Sequence, residues 1–253
     1  MANFDLTGKI AIVTGGNRGI GFGITKGFAQ AGATVVIANR NAETGQKAVE
    51  SLKKEGLITT AITTDVSKPA SISTMASKVM ADFGKIDILV NNAAVIIRKP
   101  LEEITEEDWD TIFNTNLRGL FFCSQIVGRE MIKRKKGKII NISSVLSEMI
   151  AYGRCVYATA KAGINHLTRG LASEWGKYNI NVNAIGPGLT ITEINQEYLK
   201  EHPEELQNIL SGIPLQREAY PDDYIGAAVF LASEASNYVT GQTLLVDGGM
   251  AIP

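Results

Sequence analysis

A tyrosine and a lysine spaced four residues apart, Tyr157 and Lys161 in the segment YATAK, could together transfer a proton. If this segment is a helix, the two side chains share one face and their polar ends can converge. A free phenol has a pKa of about 10 and is a poor base at neutral pH, but a neighbouring ammonium favours the phenolate and lowers that pKa. A packed tyrosine beside a solvated lysine is the plainer interpretation, so the pair needs support from the rest of the chain.

A serine hydroxyl precedes this pair by thirteen residues, directly after the apolar segment KIINIS. Ser144 stands where a predicted strand ends, and the carboxyl ends of parallel strands meet at the ligand crevice of an open sheet. A hydroxyl there can hydrogen-bond a substrate oxygen. Ser143 is the nearest rival, since alternation along a strand would point the two side chains in opposite directions.

An α/β fold with a parallel sheet would position these residues. Short apolar segments, most of them β-branched and apolar on both faces, alternate with segments of helical periodicity, which predicts buried parallel strands joined by right-handed crossovers. The predicted strands span 9–14, 34–39, 58–64, 86–91, 138–143, 180–185 and 242–247. With 253 residues and no linker or repeat, the chain is expected to form a single Rossmann-type, doubly wound domain around a seven-stranded parallel sheet.

A glycine-rich segment, VTGGNRGIGFG, follows the first predicted strand and opens the first predicted helix. Gly15, Gly19 and Gly21 have the spacing G-x-x-x-G-x-G, which permits a tight turn and a close approach of the backbone to a ligand. The helix N-terminus adds unpaired N–H groups and a partial positive charge. This position between a strand and a helix indicates a binding site for a dinucleotide pyrophosphate.

Together with several further motifs, this spacing resembles the short-chain dehydrogenase/reductase family over essentially the whole chain. The further segments, in the family's order, are NNAA at 91–94, NTNLRG with Asn116, ISS ending in Ser144, YATAK, PG at 187–188 and VDGG at 246–249. Ala94 stands where the family usually has glycine. The resemblance implies an NAD(P)-dependent oxidoreductase that interconverts a secondary alcohol and a ketone by hydride transfer.

The same resemblance implies roles for individual residues. Tyr157 would exchange a proton with the substrate oxygen, and Ser144 would orient and polarise that oxygen. Lys161 would lower the pKa of the tyrosine and bind the nicotinamide ribose, and Asn116 would help to hold a water that relays protons to Lys161. The other predicted cofactor contacts are Gly15, Asn17, Arg18, Gly19, Ile20, Gly21, Asn39, Arg40, Asp65, Val66, Asn92, Ala93, Pro187, Gly188, Thr190 and Thr192.

The end of the second predicted strand bears on the choice between NAD and NADP. Enzymes of this fold that use NAD usually place an acid there for the ribose hydroxyls, whereas this chain has Asn39 followed by Arg40. Asparagine does not repel a 2′-phosphate, and Arg40 and Arg18 could pair with one or remain solvated. The sequence therefore favours NADP(H) and leaves NAD(H) possible. By resemblance, Asp65 would contact the adenine, with Val66 packed near it.

Four residues near the reacting end of the site have more than one interpretation. Thr192 resembles the family's contact to the nicotinamide carboxamide, but Thr190 competes, and either could be a plain helix cap. Arg98 lies just past the fourth strand and Arg154 three residues before Tyr157. Either guanidinium could pair with a substrate carboxylate, or could lie on the surface or at a subunit interface.

Three functions remain open at this point. The segments NNAAVIIRKP and SSVLSEMIAYGRCVYATAK resemble gluconate 5-dehydrogenase-like enzymes, which act on sugar acids and polyols. A 3-oxoacyl-[acyl-carrier-protein] reductase could dock its acidic partner on the basic segment at 129–138, although cations near a helix C-terminus explain the same residues. Tyr178, where such reductases would carry a second basic contact, lowers this alternative. A non-catalytic dinucleotide-binding regulator would be expected to lose the tyrosine, lysine or serine, and all three are present.

Composition narrows the possible partners. The formal net charge of −1 gives no electrostatic case for nucleic acid or an anionic membrane, and no apolar run approaches the length that spans a bilayer. The two cysteines and two histidines lack metal-ligand spacing, so we expect no metal and two buried thiols, as suits a cytoplasmic protein. A small-molecule carbonyl or alcohol is the expected partner, and the family resemblance implies a homotetramer.

One interval, 188–221, interrupts the alternation of strands and helices. It is rich in Glu, Gln, Leu and Ile and contains no obvious strand, which predicts one or two short helices. Because insertions after strand carboxyl ends cover the ligand crevice in open α/β sheets, we expect this interval to form a substrate lid.

Overall fold

Parallel strands form the sheet that organises the molecule. The structure, a computed structural model, describes residues 3–192 and 196–252. Within these ranges the strands are β1 (Ile10–Thr14), β2 (Thr34–Asn39), β3 (Thr59–Thr63), β4 (Ile88–Asn91), β5 (Gly137–Ile142), β6 (Ile180–Pro187) and β7 (Thr243–Val246). They are hydrogen-bonded in the order β3-β2-β1-β4-β5-β6-β7. All the predicted strands are therefore confirmed, with bounds that differ by one or two residues at most.

Helices connect the strands and cover both faces of the sheet. In the described ranges they are α1 (Gly19–Gln30), α2 (Ala42–Lys54), α3 (Pro69–Phe83), α4 (Glu106–Phe113), α5 (Leu120–Arg134), α6 (Cys155–Trp175), α7 (Gln196–Glu201), α8 (Pro203–Ser211) and α9 (Ile225–Ala232). Local sequence explains several of these boundaries. The Asn41 side chain caps α2, and Thr105 and Asp108 form a capping box at the start of α4. A π-helical turn, Asn114–Gly119, joins α4 to α5.

Apolar side chains on the two faces of the sheet form separate cores. Along β1, Ile10 and Ile12 pack on one face with residues of α3, α5 and α6. Ala11 and Val13 pack on the other face with residues of α1 and α9. The alternation follows from the two-residue period of a strand, and fully burying one large aliphatic side chain contributes roughly 1.5–3 kcal/mol. The sheet is thereby held rigid beneath the loops at its strand ends.

The order of the strands creates a crevice at one edge of the sheet. β1 pairs with β2 on one side and with β4 on the other, so the chain leaves the ends of β1 and β4 in opposite directions. Such a switch point opens a ligand crevice outside the carboxyl ends of the strands. The glycine-rich segment follows β1, NNAA begins at the end of β4, and Ser144 comes shortly after β5. The fold thus gathers the motifs on one edge of a single doubly wound domain.

The predicted lid at 188–221 lies partly within the described residues. Residues 193–195 of it lie outside them, and the described part contains α7, α8 and an isolated parallel bridge between Thr190 and Ala219. The sequence predicted one or two short helices in this interval, and the described part contains two, α7 and α8.

The two cysteines are both free thiols, but only one is buried. Cys123 is enclosed in the core beside α3 and α6, whereas Cys155 is exposed. The prediction of two buried thiols is therefore wrong for Cys155, which begins α6 at the protein surface. Among the described residues, no helix is long and apolar enough to cross a membrane. The same part of the chain contains no group of three or more His, Cys, Asp or Glu side chains that could hold a metal ion.

Candidate active site

A cleft of about 750 Å³ opens along the carboxyl edge of the sheet. Its lining includes every residue that the sequence predicted for cofactor or substrate, and of the predicted catalytic residues it lacks only Asn116. Leu199 of α7 and Ile209 of α8 also line the cleft. The structure thus brings the predicted residues together in one continuous cavity.

The glycine turn is shaped by close packing of the backbone. Gly15 has a φ of +64°, in the left-handed region that favours glycine, and its N–H donates to the Ala38 carbonyl at 2.7 Å. Gly21 needs its missing side chain for a different reason, because a Cβ there would collide with the Gly15 carbonyl oxygen and with the Asn92 amide nitrogen. The turn is therefore a preformed cradle that larger residues would fill.

Two polar side chains fasten this cradle to the segment after β4. The Asn92 Nδ2 donates to the carbonyls of Thr14 and Gly15, at 3.0 and 3.1 Å. The Thr14 hydroxyl in turn accepts from the N–H groups of Asn92 and Ala93, at 2.9 and 3.1 Å. Asn92 therefore both lines the cleft and sets the position of the glycine turn.

At the end of β2, a small polar cluster stands where enzymes of this fold that use NAD carry a carboxylate. The Nδ2 of Asn39 donates to the Asn41 carbonyl at 2.6 Å and to the Thr44 hydroxyl at 3.2 Å, and the Asn17 amide reaches the same hydroxyl at 3.1 Å. The Asn39 Oδ1 is buried without a hydrogen-bond partner among the described residues. Thr44 was missed by the sequence analysis; its position three residues after the helix cap Asn41 was the available signal.

Arg18 and Arg40 are exposed and line the cleft near this cluster. They add two guanidinium groups to this end of the cleft. Asp65, also in the lining, accepts hydrogen bonds from the N–H and hydroxyl of Ser67 at 3.0 and 2.7 Å, which fixes its carboxylate. This end of the cleft therefore has the donors and positive charge to bind a phosphate.

Tyr157, Lys161 and Ser144 meet at the end of β5. The Lys161 Nζ lies 5.4 Å from the centre of the Tyr157 ring and donates to the Ile142 carbonyl at 2.7 Å. Ser144 lies beside the Tyr157 hydroxyl, and its Oγ accepts from the Leu146 N–H at 3.1 Å. The two serines point in different directions, as strand alternation requires. Ser143 donates to the Lys161 carbonyl at 3.2 Å, which leaves Ser144 as the serine beside the tyrosine.

Burial shifts both titrating groups of this pair toward their neutral forms. It raises the pKa of Tyr157 to about 12, although the Ser144 hydrogen bond and the charge of Arg98 act to lower it. It lowers the pKa of Lys161 to about 7. The sequence predicted that Lys161 would lower the tyrosine pKa, and this stays a prediction; the pKa shift of Tyr157 in this structure is upward, with burial as its largest cause. Arg98 is the cation that favours the phenolate.

Asn116 is buried in the π-helical turn and does not line the cleft. Its Oδ1 accepts from the Val95 N–H and its Nδ2 donates to the Val95 carbonyl, both at 2.8 Å. The side chain therefore anchors the segment after β4. π-Helical turns are frequent at functional sites because they displace backbone groups from the regular helical pattern.

Of the two candidate threonines, Thr190 is engaged inside the protein. Its hydroxyl is hydrogen-bonded to the Tyr224 hydroxyl and donates to the Gly188 carbonyl at 3.2 Å. Thr190 is buried, whereas Thr192 is partly exposed, and both line the cleft. Gly188 packs so closely on Asp247 that a Cβ would lie 2.7 Å from the Asp247 Cα. The PG and VDGG segments thus pack directly against each other.

Two arginines stand at the same end of the cleft as Tyr157. Arg154 forms an ion pair with Glu205 of α8 at 3.1 Å, and the Arg98 guanidinium lies 4.7 Å from the centre of the Tyr198 ring. Burial, and then the charge of Arg154, lower the pKa of Arg98. Tyr198 and Glu205 were not found from the sequence, because contacts between residues this far apart leave no local pattern.

Comparison with known proteins identifies the family. A family model described as Enoyl-(Acyl carrier protein) reductase matches residues 15–251. The chain is 40% identical to a gluconate 5-dehydrogenase of Gluconobacter oxydans, over 98% of this chain and 97% of that protein. The chain belongs to the short-chain dehydrogenase/reductase family. As a member, it is an oxidoreductase that acts on CH–OH groups of a small molecule.

Further members of the short-chain dehydrogenase/reductase family resemble the chain over its full length. A 3-oxoacyl-[acyl-carrier-protein] reductase of Chlamydia trachomatis is 43% identical over 97% of this chain and 98% of that protein. A solved structure of a gluconate 5-dehydrogenase from Burkholderia cenocepacia, in complex with NADP and tartrate, matches with a TM-score of 0.96 and 38% identity. That match covers 100% of this chain and 98% of the other.

Proposed function

We propose that this chain interconverts a secondary alcohol and a ketone of a sugar acid with NADP(H), as a gluconate 5-dehydrogenase does. The observation that carries this proposal is the pair of guanidinium groups beside Tyr157, only one of which has an ion-pair partner among the described residues. A carboxylate on the substrate would supply the second partner. The relative from Gluconobacter oxydans and the structure from Burkholderia cenocepacia carry the same activity in their names.

The cleft fits NADP(H). A pyrophosphate would occupy the cradle left by Gly15 and Gly21, at the N-terminus of α1. A 2′-phosphate would lie near Arg18, Arg40 and Thr44, where no carboxylate ends β2 to repel it. The Burkholderia cenocepacia relative was solved with NADP.

The proposed chemistry uses the neutral forms of the site's groups. Since the pKa of Tyr157 is about 12, its hydroxyl is protonated at neutral pH and can protonate the substrate oxygen during ketone reduction. The Ser144 hydroxyl, whose oxygen accepts from the Leu146 N–H, can turn its proton to the same substrate oxygen. The nicotinamide, when bound, supplies the hydride. Lys161, with a pKa of about 7, can return a proton to Tyr157.

Two further roles follow from which groups are already engaged. The Asn116 side chain is committed to Val95, so any part it plays in a proton relay would fall to its backbone carbonyl in the π-helical turn. We assign the nicotinamide carboxamide contact to Thr192, because it is partly exposed in the cleft whereas Thr190 is buried.

The acyl reductase alternative requires a basic surface that binds an acidic carrier protein, and the basic segment at 129–138 gives it little support. In the basic segment at 129–138, Lys133 pairs with Glu130 at 2.7 Å and Arg134 pairs with Asp87 at 3.0 Å. Lys136 lies 3.7 Å from Glu234. These contacts offset the positive charge that would attract an acidic carrier protein.

Assembly, location and the lid complete the proposed function. We assign a homotetramer, as the family resemblance implies, and the exposed apolar side chains Leu244 and Ile252 near the edge strand β7 offer one surface for it. A cytoplasmic location suits two free thiols. α7 and α8 would act as the substrate lid, since Leu199 and Ile209 line the cleft.

The test measures turnover of two carbonyl compounds with NADPH, and the loss of NADPH absorbance reports the reaction. We expect oxidation of NADPH with 5-ketogluconate, and a loss of about 10²–10⁴-fold in Tyr157→Phe without loss of NADPH binding. Turnover of an acetoacetyl thioester alone would move the chain to the acyl reductases. Tight NADPH binding with no turnover of either compound would refute the sugar-acid substrate.

A further inference from the structure

The two arginines beside Tyr157 have unequal partners. The Arg154 guanidinium donates to Glu205 Oε1 at 3.1 Å, and the Tyr198 hydroxyl donates to Glu205 Oε2 at 2.6 Å. No ion pair among the described residues includes Arg98, and its Nε is buried without a hydrogen-bond partner. Among the described residues, Glu205 therefore pairs with Arg154, and Arg98 has no carboxylate partner.

Glu205 is held in its ionised form. The hydrogen bond from Tyr198 lowers its pKa, as does the neighbouring Arg154, against the opposing effect of burial. Each carboxylate oxygen already accepts a hydrogen bond. A second carboxylate that approached Arg154 would meet a negative charge that is already in place, and like charges at short range repel.

Tyr198 connects the two arginines without neutralising Arg98. Its ring lies against the Arg98 guanidinium and its hydroxyl holds Glu205. The His202 ring stacks on Tyr198, with the ring centres 4.2 Å apart and the planes at 19°. A ring face orients a guanidinium while leaving its N–H donors available, which is how a cation is kept ready for a ligand.

Resting on the sugar-acid function proposed above, we infer that α7 and α8 select substrates by their charge. Glu205 satisfies Arg154, Tyr198 orients Arg98, and the site is left with one uncommitted guanidinium. It therefore prefers a monocarboxylate to an uncharged polyol and to a dicarboxylate. Glu205 determines specificity and Tyr198 positions Arg98; neither acts on the reacting atoms.

Three compounds with the same six-carbon chain test this selection: glucitol, gluconate and glucarate, with zero, one and two carboxylates. Oxidation of each by NADP⁺ is measured for the wild type and for Glu205→Gln. We expect the glucarate-to-gluconate ratio of kcat/KM to rise about tenfold in the variant, because Arg154 gains a free place for a second carboxylate. Glu204→Gln, which removes an exposed carboxylate from the adjacent position of α8, is the matched control and should leave the ratio unchanged.

Two variants of Tyr198 separate its ring from its hydroxyl. Tyr198→Leu should raise KM for gluconate several-fold and leave KM for glucitol unchanged, because only the charged substrate depends on Arg98. Tyr198→Phe keeps the ring on Arg98 and should have the smaller effect on gluconate. An NADPH titration of each variant shows whether the cofactor half of the site remains intact.

The outcomes distinguish this inference from the function on which it rests. If the wild type oxidises gluconate but Glu205→Gln leaves the ratio unchanged, or Glu204→Gln changes it equally, charge selection by Glu205 is overturned and the sugar-acid function stands. Equal effects of Tyr198→Leu on gluconate and glucitol would overturn the positioning role. If the wild type turns over other carbonyl compounds but no sugar acid, the proposed function fails and the inference fails with it.

Discussion

The cofactor half and the substrate half of the cleft are built in different ways. The cofactor half is held by contacts between neighbouring strand ends, such as the Asn92 amide on the carbonyls of Thr14 and Gly15. The substrate half is completed by α7 and α8, which lie outside the sheet. Their side chains reach back to the ends of other elements, as in the contact between Glu205 and Arg154, 51 residues apart in the chain.

Because of this difference, the fold fixes the cofactor half of the cleft more firmly than the substrate half. In the cofactor half, the contacts of Asn92 and Thr14 are made to backbone carbonyls and N–H groups, so removing one of these contacts disturbs the backbone of the sheet edge. In the substrate half, side chains of α7 and α8 set the surroundings of Arg98 and Arg154, and they can change while the sheet stays in place. Relatives that share the cofactor half can therefore act on substrates as different as gluconate and a 3-oxoacyl thioester.

The largest effect is expected where the two halves meet, at Lys161. Lys161→Met should lower turnover by about 10²–10⁴-fold, because proton return to Tyr157 is lost.

Lys161→Met should also stabilise the folded protein, by an amount that depends on pH. Burial lowers the pKa of Lys161 from 10.5 to about 7. Between these values the unfolded chain binds the proton more strongly, so the wild-type free energy of unfolding rises with pH, by up to about 1.4 kcal/mol per pH unit.

Urea unfolding at pH 7, 8 and 9 checks this sign. The stability advantage of Lys161→Met over the wild type should be greatest at pH 7 and should shrink toward pH 9, since methionine does not titrate. Lys54→Met, at an exposed position of α2, should show no such trend. A difference between Lys161→Met and the wild type that stays constant with pH would mean that Lys161 keeps an ordinary pKa in the folded protein.

The next effect belongs to the substrate half alone. Arg98→Gln should raise KM for gluconate about tenfold or more while KM for glucitol and the affinity for NADPH stay near their wild-type values, because a charged hydrogen bond to the carboxylate is lost. Because the charge of Arg98 favours the Tyr157 phenolate, its loss should also move the pH profile of alcohol oxidation to higher pH for both substrates. A profile that does not move would limit Arg98 to substrate binding.

The two halves also differ in how far the sequence predicts them. The glycine turn, the strand ends and the YATAK helix carry local patterns, because each depends on residues adjacent in the chain, and the structure places them as expected. Thr44 lay within reach of the capping pattern that begins at Asn41. Tyr198 and Glu205 could not be found in this way, since their partners are set by tertiary packing. The upward shift of the Tyr157 pKa was also beyond the sequence, because the spacing of Tyr157 and Lys161 does not show how tertiary packing desolvates the phenol.

A smaller effect is expected in the cofactor half, at the exposed Arg40. Arg40→Gln should weaken NADPH binding about tenfold and leave NADH binding almost unchanged, since only NADPH carries the 2′-phosphate. The glucitol-to-gluconate ratio should stay constant, which would show that the two halves are independent. Arg169→Gln, at an exposed position of α6, controls for the general loss of positive charge. Equal weakening of both cofactors would place Arg40 near the pyrophosphate instead.

The smallest effect tests whether a side chain can tune the cofactor half at all. Thr44→Val removes the hydroxyl that accepts from the Asn17 and Asn39 amides but keeps the shape and the backbone cap at Asn41. The lost hydrogen bonds should lower the free energy of unfolding by about 0.5–1.5 kcal/mol each at most. Thr74→Val, which removes an exposed hydroxyl bonded to the Ala70 carbonyl, measures the general cost on α3. A several-fold loss of NADPH affinity in Thr44→Val alone would show that the polar cluster orients Asn17 and Asn39 for the cofactor. An unchanged affinity would mean that the backbone of β2 and α2 does so without it.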